Sequence, residues 1–239
     1  MMLSDTRIIR RRSGLRSNMT LLVLAATFCG LPPTLLHADE FSQVSHHSAR
    51  LFSNGTLVIN CRVGDLHIDG WDEPRVEIEA EKVVRAGSEA KAKPLYDQIK
   101  VRLEGGDQEV RLTTLYPSRK LWRPFRNESK LSVNFRIRMP FDSNLKLKCV
   151  DGDVTIAGIV GHEELLVNYG DVEIDVPHLY DLRSLSAHAW LGYVQSDLQG
   201  LSSDSAGLGQ RISFWNANGR QNIDVKVRMG GVFIYREAD

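Results

Sequence analysis

From Phe52 onward, apolar and polar residues mostly alternate along the chain. Leu57-Ile59-Cys61, Leu66-Ile68, Val76-Ile78, Val101-Leu103, Val110-Leu112, Val133-Phe135-Ile137, Leu145-Leu147 and Val225-Val227 each put apolar side chains on every second residue. A period of two predicts strands with one face buried and one in water. One stretch breaks the pattern. Ser88 to Ile99 reads as a helix, with Ser88 as N-cap, Glu89 in its first turn, and Leu95 and Ile99 four apart on one side. Pro94 limits it to two short turns or a kink. The fold class is therefore all-β with a short inserted helix.

The pattern also repeats at longer range. Glycines recur in Asp151-Gly152-Asp153-Val154-Thr155-Ile156, Tyr169-Gly170-Asp171-Val172-Glu173-Ile174, Leu191-Gly192-Tyr193-Val194, Leu208-Gly209-Gln210 and Met229-Gly230-Gly231-Val232-Phe233-Ile234. Gly152, Gly170, Gly192, Gly209 and Gly230 are thus almost evenly spaced. Three positions before each glycine stand Cys149, Val167, Ala189, Ala206 and Val227, all small and apolar, and β-branched residues follow. Cys61-Arg62-Val63-Gly64-Asp65-Leu66-His67-Ile68 is a further copy near the other end. A strand, a tight glycine turn and a second strand every ~20 residues predict the coils of a short β-solenoid, in which each coil buries its apolar side against its neighbours. Residues 75–140, with the helix and antiparallel-looking strands, read as an insertion after the first coil. The predicted domain is 51–239, preceded by a polar lead-in at 39–50, and no Ser/Pro/Gly-rich linker divides it.

Gly55-Thr56-Leu57-Val58-Ile59, Gly64-Asp65-Leu66-His67-Ile68-Asp69-Gly70-Trp71, Val76-Glu77-Ile78-Glu79-Ala80, the Ile99-to-Thr113 strand pair and the Gly152 and Gly170 repeats together resemble the bacterial putative adhesin family, exported domains with repeated Gly-Asp-Val-x-Ile turns. The resemblance runs over roughly residues 50–235. It implies a β-solenoid-like fold and an envelope or surface setting, and it carries no catalytic residues.

The segment 1–38 differs in kind from the rest. Arg7, Arg10, Arg11, Arg12 and Arg16 form a basic start, Thr20 to Phe28 a short apolar run, and Leu36-His37-Ala38 ends on a small residue. This is the layout of a secretory signal peptide, too short to span a bilayer; a retained N-terminal anchor is the alternative. The full chain balances 30 Lys+Arg against 30 Asp+Glu. Without residues 1–38 there remain 25 basic and 29 acidic residues, a net charge of −4. A mildly acidic exported domain is expected, and a nucleic-acid binder is disfavoured.

Candidate chemistry is sparse. Cys61 and Cys149 occupy equivalent repeat positions; they either bridge two adjacent coils as a disulfide or fill the core as small apolar residues. Asp153, Asp171, Glu173 and Asp175 fall along the turns and strand faces. They are weak candidates for a metal site or, with Asp151, for acid–base cleavage of a glycan, against the plainer reading of a solvated turn face. Asp65, His67 and Asp69 alternate on one strand. No phosphate-cradling loop, Gly-x-Ser-x-Gly elbow or Cys-x-x-Cys occurs, so an enzyme is not expected, nor any cofactor. The segment 118–130 gathers Arg119, Lys120, Trp122, Arg123, Phe125 and Arg126, a basic aromatic stretch suited to an anionic lipid surface, an acidic glycan or an envelope protein. Trp190, Tyr193, Trp215, Phe233 and Tyr235 read as an exposed aromatic strip or as caps of the stack. The expected role is a non-enzymatic exported binding or structural module, periplasmic, surface-bound or secreted. An envelope-stress sensor and a glycan-active β-helix enzyme are the alternatives.

Overall fold

A computed structural model describes residues 39–116 and 131–237. The predicted signal segment and the basic aromatic residues Arg119, Lys120, Trp122, Arg123, Phe125 and Arg126 lie outside these residues. The described chain is nearly all strand: β1 (Asp39–Val63), β2 (Leu66–Trp71), β3 (Arg75–Ala86), α1 (Glu89–Tyr96), β4 (Lys100–Leu115), β5 (Leu131–Pro140), β6 (Asn144–Asp151), β7 (Val154–Ala157), β8 (Glu163–Tyr169), β9 (Val172–Val176), β10 (Leu182–Leu191), β11 (Val194–Ser196), β12 (Ser202–Ala206), β13 (Gly209–Trp215), β14 (Gln221–Met229) and β15 (Val232–Arg236). All strands join one large mixed sheet that does not close on itself.

Two parallel ladders make up most of that sheet. The second half of β1 pairs with β6, β6 with β8, β8 with β14 and β14 with β10. In the other ladder β2 pairs with β7, β7 with β9, β9 with β15 and β15 with β11. Each stacked unit is thus a strand of the first ladder, a glycine corner and a strand of the second. The alternation that predicts strands also sets the core. Leu57, Ile59 and Cys61 face inward from one ladder, Leu66 and Ile68 from the other, and their partners, with Glu163 and Ser196 as polar exceptions, join one buried cluster. Within it, Ile137, Ile68, Ile156, Ile174 and Ile234 form a row of identical side chains across five strands. Burying such side chains contributes roughly 1.5–3 kcal/mol each.

The stack departs from the predicted run of coils in three ways. First, its spatial order is not its chain order: β14–β15 lies between β8–β9 and β10–β11. The hairpin β12–β13 lies beyond β10, antiparallel to it, so the chain overshoots and returns to fill the position it skipped. Glycine spacing carries no information on which neighbour a coil chooses. Second, Gly209 is not a corner. It begins β13 beside Gly207, whose φ of 66° makes the hairpin turn. Third, the segment between the first two units holds another unit. β4 pairs parallel with β1 through Leu57↔Val110 and Ile59↔Leu112, and β5 pairs parallel with β2 through Leu66↔Phe135 and Ile68↔Ile137. No glycine of the repeat stands between β4, which ends at Leu115, and β5, which begins at Leu131, so glycine spacing does not reveal this repeat.

Residues 39–50, the predicted polar lead-in, form the first half of β1, antiparallel to β3 from Asp39↔Ala86 to Arg50↔Arg75. Backbone hydrogen bonds hold this strand, so it needs no apolar alternation. α1 contains Pro94, packs on β3 and buries Ala92 and Tyr96 beside Val84 and Ala86. Ser88 takes the N-cap position without a side-chain hydrogen bond.

Candidate functional site: a clamped corner between two faces

The corners are built from glycines that nothing else can replace. Gly64, Gly152, Gly170, Gly230 and Gly192 have φ between 130° and 152°. A Cβ on Gly152 would lie 2.1 Å from the carbonyl oxygen of Gly64, one on Gly170 2.2 Å from that of Gly152, and one on Gly230 2.0 Å from that of Gly170. Each corner therefore rests on the glycine below it, and both the dihedral and the space demand glycine.

A second ladder, of side chains, runs beside the first. Asn134 Oδ1 accepts the Asp65 N–H (3.2 Å), Asp65 Oδ1 that of Asp153 (3.1 Å), Asp153 Oδ1 that of Asp171 (2.8 Å), and Asp171 Oδ1 that of Gly231 (2.6 Å). The aspartates of the Gly-Asp turns thus clamp one unit to the next at the point where the strands bend. Asp65 and Asp153 also edge a shallow open cleft of about 290 Å³ with His67, Glu79, Arg136 and Thr155. Among the described residues no three His, Cys, Asp or Glu side chains converge as metal ligands. Of the weak candidates, Asp153 and Asp171 are engaged in the clamp, whereas Glu173 and Asp175 follow Asp171 along β9. His67 Nε2 lies 3.3 Å from Asp69 Oδ1, while Asp65 turns to its backbone partner.

Cys61 and Cys149 are direct register partners on β1 and β6, so their units are adjacent. Both are buried and free, and both thiols point to the Gly64 carbonyl, at 3.9 and 4.0 Å. The Cys149 sulfur beside it, then burial, pushes the Cys61 thiol well up.

One buried polar pair escapes sequence reasoning. Glu163 at the start of β8 is 3% exposed and accepts a hydrogen bond from Gln221 Nε2 (3.1 Å), which also donates to the Ile159 carbonyl (3.0 Å). Glu163 Oε2 and Gln221 Oε1 are buried with no partner among the described residues. Both are acceptors, and a proton on Glu163 removes the cost of leaving a buried carboxylate charged. Burial pushes this carboxyl up to about 8, against the lowering effect of the Gln221 hydrogen bond. Glu163 sits at an inward position of an alternating strand, a signal visible in the sequence only once the register of β8 is known.

The outward faces of the two ladders differ in charge. Glu77, Glu79, Glu81, Asp69, Glu173 and Asp175 face out from the ladder of β2 and its neighbours, against Arg136 and Arg138. Arg138 pairs with Glu77 (2.8 Å), and both Arg75 and Arg138 stack on Trp71. On the other face Lys148, Leu166, Lys226, His188 and Arg211 line up in one row across five strands. Of the predicted aromatic strip, Tyr193, Phe233 and Tyr235 meet, with centroids 5.4 and 6.4 Å apart. Trp190 instead packs on His188 (4.9 Å), and Trp215 stands at the end of β13.

No family model and no curated protein matches this chain. Among solved structures, a putative cell adhesion protein from Clostridium sporogenes ATCC 15579 superposes over 82% of this chain and 100% of its own, with 13% identity and a TM-score of 0.49. A putative adhesin from Bacteroides fragilis NCTC 9343 covers 81% of this chain and 97% of its own at 9% identity and a TM-score of 0.27. A putative adhesin from Parabacteroides merdae ATCC 43184 covers 81% and 82% at 8% identity and a TM-score of 0.24. At these identities and scores none of them carries a function to this chain.

Proposed function

We propose that the chain is a non-enzymatic, exported module of the bacterial cell envelope, adhesin-like in role, that presents a rigid β scaffold to a partner. In this reading the stacked glycine corners are a short β-solenoid, residues 1–38 direct export, and the segment with Arg119, Lys120, Trp122, Arg123, Phe125 and Arg126 is a first contact. The observation that supports it most is the corner clamp. Four consecutive side-chain-to-backbone hydrogen bonds from Asn134 to Gly231 fix the scaffold, and its two outward faces differ in charge. A rigid display surface loses little conformational freedom on binding.

The test uses the full chain expressed in a bacterial host. Fractionation is expected to recover a product beginning at Asp39 outside the cytoplasm. Purified full-length protein is expected to sediment with isolated envelopes, and Trp122→Ala with Arg123→Ala to weaken that association at least threefold. Unprocessed cytoplasmic protein, or envelope binding that is absent, overturns the reading; unchanged binding by the double variant removes the 118–130 segment from it.

A further inference from the structure

Exposed apolar side chains gather at one end of the stack. Tyr169, Met229 and Leu191 are register partners across β8, β14 and β10, at the corner itself, and are 47, 48 and 42% exposed. Leu208, 79% exposed, lies in the adjoining hairpin turn, where its carbonyl accepts the Gly192 N–H. Trp190 and Tyr193 flank Leu191 and are both about half exposed. Together these six expose apolar surface along the corner, an unusual thing to leave in water when it is contiguous.

Cations border this apolar surface on one side. The cross-strand row Lys148–Leu166–Lys226–His188–Arg211 runs parallel to it, and Arg228 follows Lys226 on the same face of β14, next to Met229. Lys226 pairs with Asp224 (2.5 Å), and Asp204 is the register partner of Arg211 at the outer edge. Lys148 and Arg228 have no carboxylate partner among the described residues. Burial, and then the neighbouring Arg211 and Lys226, push the His188 pKa below the ordinary histidine value. On the far side of the corner lie the carboxylates of Glu173 and Asp175.

We infer that this corner docks on an anionic phospholipid bilayer, with the Tyr169–Met229–Leu191–Leu208 apolar surface in the interfacial zone and Lys148, Lys226, Arg228 and Arg211 against the phosphates. The inference deepens the envelope reading above and rests on it. The apolar side chains lie at the corner, with cations beside them on one face, so one edge of the stack offers both an apolar and a cationic contact to a planar anionic surface. Trp and Tyr beside Lys and Arg are the pairing favoured at a membrane–water boundary, where apolar stems are covered and charged tips reach phosphate. Several cations near an anionic surface add their attractions, and salt screens them. The acidic face then points away from the membrane, so the charge asymmetry fixes one orientation.

The experiment is co-sedimentation of full-length protein with two kinds of vesicle: phosphatidylcholine alone, and a two-to-one mixture of phosphatidylcholine and phosphatidylglycerol. All proteins compared carry the same N-terminal segment, so its contribution cancels between variants. The wild type is expected to bind anionic vesicles at least fivefold more tightly than neutral ones. Most of that preference is expected to vanish in roughly 0.5 M salt, where charges are screened within a few ångströms. Lys148→Glu with Arg228→Glu, both on an exposed face, is expected to weaken binding at least tenfold, and Met229→Ser with Leu208→Ser at least threefold. Circular dichroism and thermal melting of each variant confirm that it folds. Equal binding to both vesicle types, or folded variants that bind like the wild type, overturns the inference. So does binding to a soluble polyanion such as dextran sulfate with none to vesicles, which assigns the cations to an acidic polymer. Envelope association that persists without vesicle binding overturns this inference alone and leaves the envelope module standing.

Discussion

The carboxylate of Asp171 accepts the backbone N–H of Gly231 at 2.6 Å, joining two residues 60 apart in sequence. This bond fixes the out-of-order unit β14–β15 against β9. Replacing Asp171 with Ala is expected to lower stability by about 1–3 kcal/mol, because the Gly231 N–H loses a charged acceptor. Asn keeps an acceptor oxygen in place, as Asn134 does at the other end of the clamp, so Asp171→Asn is expected to cost less than ~1 kcal/mol. Urea unfolding of the two variants distinguishes them; equal losses would show that the hydrogen bond is not the source.

Gly152→Ala is expected to be far more damaging, by about 3 kcal/mol or more, or to abolish folding. It combines a strained φ of 149° with a methyl 2.1 Å from the Gly64 carbonyl oxygen. Gly87→Ala is the control. No atom lies within 4 Å of a Cβ there, and its melting temperature is expected to stay within a few degrees of the wild type. A stable, natively folded Gly152→Ala protein would contradict the contact stack.

Glu163 makes stability depend on pH in a stated direction. Its folded carboxyl titrates at about 8, above the ordinary 4.5, so the native state holds a proton that the unfolded chain has released. Its contribution is complete below the unfolded value and is lost as pH rises toward and through 8. Over that window the loss is on the order of a few kcal/mol. Glu163→Gln keeps a neutral hydrogen-bonding group opposite Gln221. Its stability relative to wild type is expected to rise between about pH 5 and pH 8 and to level off above that. A constant difference across that range would mean that Glu163 is already ionised in the fold.

Cys61 and Cys149 are expected to resist a thiol reagent such as 5,5′-dithiobis(2-nitrobenzoate) at neutral pH in the native protein, and both to react on unfolding. Their exposures are 5 and 2%, and the Cys61 thiol is held protonated by its partner and its burial. Rapid titration of either thiol in the folded protein would contradict this packing.

The strands, the single helix and the glycine corners were legible because each has a local cause. Alternation predicts Leu145-Leu147-Cys149 facing inward, and Gly64, Gly152, Gly170, Gly192 and Gly230 all have a left-handed φ. Pairing Cys61 with Cys149 from equivalent repeat positions was likewise legible, since equivalent positions stack. The unit β4–β5 was not, because Val133, rather than a glycine, lies under Gly64. Nor was the order of units, because glycine spacing does not say which neighbour a unit pairs with. The role of Asp65, Asp153 and Asp171 lay between these cases. Their position at the turn was plain, but a carboxylate that clamps a neighbour and one that waits for a ligand look alike until the acceptor's partner is known.

The return of β14–β15 into a position skipped by the chain gives this protein a topology that an ordinary repeat array lacks. In a simple array, removing the last repeat yields a shorter array with a fresh end. Here β14–β15, which follows the other units in sequence, is an interior rung, with β8–β9 on one side and β10–β11 on the other. Loss of the residues after Arg220 would leave two separate edges with nothing between them. The two halves of the stack are therefore joined only through strands that follow both of them in the chain, so closure of the core depends on a segment distant in sequence from β8–β9.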